Sequence, residues 1–236
     1  VARRTAPLRI TEQATWQRLS DAIRRQIRAV LEQDADEARM LALAEQAESL
    51  ADALEASATG KRVALVDSAW ESGTGEMSYL PFSPIMGRLN PASTGIVIRR
   101  EGEKVVSELV LAEPVEGATG LVHGGVIAGI YDELLAAANL MIKAGGPTGT
   151  LTVRYRRPTP LYARLRFEGW VERIDDRKVY TRGHCLVVGN PAADVASDPR
   201  TGGGEPKVVS EAEAIFVRFA PDRKIAGWHP PETGRD

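Results

Sequence analysis

The stretch Leu121–Leu140, LVHGGVIAGIYDELLAAANL, decides the fold class of this chain. From Gly124 to Lys143 its apolar residues recur at helical spacing, and Gly145, Gly146 and Pro147 supply the stop that a left-handed residue followed by proline produces. About 20 residues at ~1.5 Å each give a helix ~30 Å long. Val126, Ile127, Ile130, Tyr131, Leu134, Leu135, Ala138 and Met141 spread over more than half of its circumference, so the helix is expected to be covered on most sides. Two carboxylates, Asp132 and Glu133, nevertheless stand in its middle.

Outside this helix the apolar period changes to two. Residues 94–100 (TGIVIRR) and 104–113 (KVVSELVLAE) read as a strand pair, and 150–161, 163–176, 178–190 and 207–220 read as four further strands. One long helix among antiparallel strands cannot be a doubly wound protein, which needs a crossover helix between successive parallel strands. The expected class is α+β, with the helix on one face of a curved antiparallel sheet.

The segment 70–94 is dense in Gly, Pro, Ser and Asn and reads as irregular chain, either a plain connector or the lining of a ligand channel. Residues 190–206 read as a hairpin loop. Its run Gly202–Gly204 lacks the Lys-Ser/Thr ending of a phosphate loop. Upstream, Thr11 to Gln33 and Met40 to Leu54 repeat apolar residues at three and four, so residues 1–60 are expected to form a helical hairpin extension and 61–236 the main domain. The extension is expected to pack on that domain or on a neighbouring subunit. A membrane surface or another partner is the alternative.

The 236 residues, 43% apolar and 26% charged, have ordinary globular composition. Thirty Lys and Arg against 32 Asp and Glu leave a formal charge of −2, which gives no reason to expect a nucleic-acid partner. No apolar run approaches the roughly 20 residues of a spanning helix. Cys185 is the only cysteine, which excludes an intrachain disulfide and suits a cytoplasmic location. Three histidines at unrelated positions give no metal-ligand spacing, so no metal is expected.

The chemistry lies on the central helix. Gly124 and Gly125 open its first turn, where backbone N–H groups lack intrahelical acceptors and the helix terminus is partly positive. Such a turn suits a carbonyl oxygen that becomes negative during acyl transfer. A carboxylate on the same helix either completes a hydrolytic site or lies at the edge of the apolar face beside an arginine. Asp132 is eight residues beyond Gly124, or ~12 Å along the axis, too far for both to serve one carbonyl. If both act on one substrate, the carboxylate must come from a second copy lying antiparallel across a two-fold axis.

At these residues the chain resembles the hotdog-fold thioesterases, in the group of the phenylacetate-pathway enzymes and the mammalian long-chain acyl-CoA thioesterases related to them. The resemblance rests on His123-Gly124-Gly125, on Asp132 nine positions after the histidine, and on TGTLTVRYRRPTPL from Thr148 to Leu161, and it spans about Phe82 to Phe219. It implies a hotdog fold, dimerisation that joins two sheets, and hydrolysis of a fatty or aryl acyl-CoA at the subunit interface, placing the chain in fatty acid metabolism. The assembly would be a homodimer or a tetramer, with no cofactor beyond the coenzyme A of the substrate. By position, Asp132 resembles the catalytic carboxylate and Gly124 the donor to the thioester carbonyl. His123 resembles the histidine before that donor, and Thr148 the hydroxyl that holds water or the carboxylate. Glu133 has no counterpart.

His123 also has a purely structural reading, a hydrogen bond that fixes the turn, and Thr148 can be a turn residue beside Gly149. Asp132 suits either deprotonation of water or direct attack. Gly125 adds a second amide to the substrate site. Arg154, Arg156 and Arg157 suit the phosphates of coenzyme A or, equally, a solvated sheet face. Ser107, His184 and Cys185 do not assemble a nucleophile set, lacking the glycine elbow of a serine hydrolase. The rival reading is a non-catalytic protein that binds acyl-CoA or an acyl carrier. A hotdog hydratase fits poorly, because its histidine would need a different register.

Overall fold

The computed structural model describes residues 10–58, 76, 80–189 and 206–218. The chain divides into two compact units, Val1–Val66 and Asp67–Asp236. The expected loop at 190–206 lies, but for its last residue, outside the described residues, as do 70–75 and 77–79 of the irregular segment.

In the first unit α1 runs Ile10–Leu31 and α2 runs Glu37–Ser57. Asp36 caps α2, its carboxylate accepting the Arg39 N–H at 2.8 Å. This satisfies one of the donors that a helix start leaves open.

Among the described residues the second unit is one antiparallel sheet and one long helix. Its strands are β1 (Arg99–Glu101), β2 (Lys104–Val110), β3 (Thr148–Tyr155), β4 (Arg164–Asp175), β5 (Lys178–Gly189) and β6 (Lys207–Val217), in the spatial order β1-β2-β4-β5-β6-β3. Between β2 and β3 runs α3, Gly124–Met141, packed across the inner face of the sheet. The α+β class is as the sequence implied. The first strand is much shorter than its pattern suggested: Ile96 and Ile98 are buried, but the chain joins the ladder only at Arg99. The helix ends two residues early because Lys143 already has φ 56°, in the left-handed region.

The inner faces of β4 and β5 explain how α3 comes so close. Gly169 and Gly183 are cross-strand partners, and a Cβ on either would press on Leu134 or Leu135 of α3, at 3.1–3.3 Å. Around this contact Ile130, Tyr131, Leu134, Leu135, Phe167 and Phe216 are fully buried. The Tyr131 ring meets Phe167 edge-on at 5.3 Å, and its hydroxyl donates to the Ser210 carbonyl at 2.9 Å. Burial raises the Tyr131 hydroxyl far above its usual range, so it stays a neutral donor.

The described part of the irregular segment packs down on α3. Met86 and Leu89 are buried, and Ile85 lies so close to Gly129 that a Cβ there would stand 2.7 Å from its Cδ1. Ser83 ties the turn together, accepting from the Ile85 and Met86 N–H groups while its hydroxyl donates to Glu133 at 2.6 Å. One of the two carboxylates of α3 is thereby an anchor for this cover.

The outer face of the sheet is a lattice of ion pairs. Arg166 bonds Glu101, Glu108 and Glu168 at 2.6–2.8 Å, and Lys104 bonds Glu168 at 2.8 Å. Burial alone would push the Glu168 carboxyl up, but the hydrogen bonds from Lys104 and Arg166 outweigh it and hold it at about 2.

Candidate active site

The start and the middle of α3 are each tied to one end of β3. At the helix start, His123 is the N-cap, and its Nδ1 accepts the Gly125 N–H at 3.0 Å. The neutral imidazole therefore carries its proton on Nε2. The His123 carbonyl accepts from Val126 and Ile127. Among the described residues this leaves the Gly124 N–H as the open donor of the turn, since it meets no acceptor while the Gly125 amide is engaged by the imidazole. From the other side the Tyr155 hydroxyl, at the end of β3, donates to the Gly124 carbonyl at 2.7 Å.

Eight residues further along α3, at the opposite end of β3, the Thr148 hydroxyl donates to Asp132 Oδ1 at 2.7 Å. Asp132 is half-buried. Hydrogen bonding to Thr148 fixes one carboxylate oxygen and leaves the other free to hold water or approach a carbonyl. Asp132 and its neighbour thus divide their tasks, Asp132 bonding the sheet and Glu133 the covering turn.

Beside the helix start lies a cleft of about 370 Å³, walled by Gly124, Ile127, Tyr155, Arg156, Arg157 and Thr159. Thr159 is 3% exposed and its hydroxyl has no hydrogen-bond partner among the described residues. Of the three arginines, Arg156 and Arg157 reach this cleft and Arg154 does not line it. Arg154 pairs with Glu213 at 3.0 Å, Arg156 with Glu211 at 2.7 Å, and Arg157 donates to the Val208 carbonyl at 2.8 Å. The pairs lie across the β3–β6 ladder, where alternation puts arginine beside glutamate.

Tyr155 and Ser83 are the residues that spacing alone did not single out for the site. Tyr155 stands on the helix side of β3, as alternation requires, yet remains 53% exposed because α3 begins beneath its ring and nothing described covers its far side. Cys185 is buried, and its burial pushes the thiol up to about 12. His184 faces the opposite side of β5 and sits 3.6 Å from Glu168. No cluster of His, Cys, Asp or Glu among the described residues has the geometry of a metal site.

One long helix clasped by a six-stranded antiparallel sheet is the hotdog fold, and a solved structure titled a thioesterase superfamily protein shares it across 92% of this chain and 93% of its own, with a TM-score of 0.70 and 27% identity. Residues 119–185, from just before the histidine-glycine turn into β5, match the Thioesterase superfamily. The curated relatives include "Acyl-coenzyme A thioesterase THEM4" of Xenopus laevis, 39% identical over 107 residues that are 45% of this chain and 41% of that protein. The protein of the same name from Mus musculus is 26% identical over 112 residues, 47% of this chain and 41% of its own. The chain has the hotdog fold, and over residues 119–185 it is similar to the Thioesterase superfamily. It spans about two fifths of the length of the curated relatives it matches.

Proposed function

We propose that this protein hydrolyses fatty or aryl acyl-CoA thioesters at a site shared by two copies of the chain. The observation that carries the reading is that the open Gly124 amide and the Thr148-bound Asp132 hang from opposite ends of β3. Among the described residues β3 pairs on one side alone, with β6, so its other edge is free to take a strand. If β3 of one copy pairs antiparallel with β3 of another, Thr148 of each lies beside Tyr155 of its mate. Asp132 of one protomer then approaches the Gly124 amide of the other, closing the ~12 Å gap that one helix cannot close.

In this site the thioester carbonyl accepts from the Gly124 N–H, which stabilises the oxyanion as it forms. Asp132 of the second copy either removes a proton from the attacking water or attacks the carbonyl itself to give an anhydride that water cleaves. The thiolate of coenzyme A leaves. Thr148 holds the carboxylate in aim, His123 fixes the turn that presents the amide, and Gly125 shapes that turn. Arg156 and Arg157 at the mouth of the cleft, with Arg154 further along the ladder, suit the phosphates of the leaving coenzyme. A single buried cysteine suits the cytosol.

The test uses two lesions that separate the halves of the site. Asp132→Asn is expected to lower kcat by about 10³-fold on a panel of CoA esters from acetyl to palmitoyl and aryl. Gly124→Pro deletes the donor N–H at the first helical position, where proline fits, and His123 before it already has ψ 130°, as a residue preceding proline needs. It is expected to lose about 10²-fold or more. Mixed and refolded together, the two dead chains should regain activity, because one of the two sites in each mixed dimer then carries neither lesion. Full activity of Asp132→Asn, or no recovery in the mixture, rejects the shared hydrolytic site.

A further inference from the structure

Two adjacent glycines open α3, and no residue type gives up more conformational freedom on being ordered. A helix start is also weakly held, because its first N–H groups have no intrahelical acceptors. An amide that swings there would stabilise an oxyanion poorly, since such a donor works by being aimed before charge develops. What holds this turn is a grip on the peptide unit between Gly124 and Gly125. Its carbonyl accepts from the Tyr155 hydroxyl at 2.7 Å, and its N–H donates to His123 Nδ1 at 3.0 Å.

The two bonds act on each other. Donation to a peptide oxygen polarises the whole peptide and makes its N–H a better donor, so hydroxyl, peptide and imidazole form one chain. The ring adds a steric contact: a Cβ built on Gly124 would stand 3.3–3.5 Å from the Tyr155 hydroxyl and ring carbons, which places the phenol against this glycine. Tyr155 is the last residue of β3, which pairs with β6, so the turn is braced against the sheet as well as its own helix. The ring lines the cleft at the helix start and stays 53% exposed, so burial does not account for its place. We infer that Tyr155 is a positioning residue of the hydrolytic site, fixing the direction of the open Gly124 N–H through the Gly124–Gly125 peptide and keeping His123 Nδ1 an acceptor. This role rests on the proposed hydrolysis, whereas the grip on the peptide stands without it.

Tyr155→Phe in the full chain keeps the ring and removes the hydroxyl. Turnover is measured on decanoyl-CoA, benzoyl-CoA and the rest of the CoA-ester panel, and exchange of the Gly125 amide proton is followed by NMR without substrate. Expected is a kcat about tenfold lower with KM held within about twofold, the mark of a group that acts on the transition state. Gly125 exchange should run about tenfold faster while the Leu134 and Leu135 amides in the middle of α3 keep their rates, which separates a freed turn from a general loosening. With the wild-type chain active, an unchanged kcat, a loss confined to KM or an unchanged Gly125 exchange overturns the role. A wild-type chain that cleaves no ester of the panel takes the role down with the proposed function, and Gly125 exchange then decides on the grip alone.

Discussion

The helices α3 and α2 are close in length, 18 and 21 residues, and opposite in fate. Eight residues of α3 are buried and none of α2. The difference lies in the width of the apolar surface. In α3 it runs around most of the circumference, so sheet, covering turn and tyrosine contacts all find something to hold. In α2 it is a narrow seam flanked by alanines and acids, which suits one partner helix and no more. The wide helix organises a domain and its site, whereas the narrow one buries none of its residues.

The sharpest way to break this comparison is to remove the same group from each. Leu134→Ala, under the sheet, is expected to cost about 4 kcal/mol, the transfer of a leucine side chain plus the cavity it leaves. Leu50→Ala in α2 is expected to cost under about 1 kcal/mol in dilute protein, where the seam is open. Urea denaturation followed by tryptophan fluorescence measures both. Equal costs would mean that α2 is as much a part of the folded core as α3.

Acid separates the two halves in another way, through the outer face of the sheet. The Glu168 carboxyl is held at about 2 in the folded protein, against 4.5 when unfolded. A depressed folded value means stabilisation that is complete above the unfolded value and is lost as pH falls from 4.5 toward 2. Glu168→Gln should therefore destabilise the sheet by about 2 kcal/mol at pH 7, where charged hydrogen bonds to Lys104 and Arg166 are lost. By pH 2 the difference should have shrunk to nearly nothing. A difference independent of pH would assign the loss to packing instead.

Which features were legible in the sequence follows from the range over which they are encoded. The start of α3, its glycine stop and the β4–β5 hairpin are written in adjacent residues, and all three were found within two residues of their expected places. The antiparallel class followed from the order of elements alone. The short β1 was not legible, because Ile96 and Ile98 alternate like a strand but bury against the core without a ladder partner. Asp132 and Gly124 stand out through their spacing and the resemblance, and Thr148 through the resemblance alone. The bonds that position them do not: Tyr155 to Gly124 spans 31 residues and Ser83 to Glu133 spans 50, and neither pair has any local periodicity. The occupation of the Gly125 amide by His123 is local, and an N-cap reading of His123 would have found it.

The smallest expected effect tests why α3 is held in one orientation. Apolar contacts around most of a helix leave it free to turn by small angles, whereas one buried hydrogen bond of fixed direction does not. Tyr131 supplies that bond, reaching from the middle of α3, one residue before Asp132, to the Ser210 carbonyl. Tyr131→Phe keeps the ring and its edge contact with Phe167, so the loss should be confined to about 1 kcal/mol of stability, with the Ser210 carbonyl left one donor short. If the bond also sets the rotation of α3, kcat for thioester hydrolysis should fall severalfold while KM holds, because Asp132 is displaced and the cleft at the helix start is not. A change in stability with kcat untouched would show that packing alone fixes the helix.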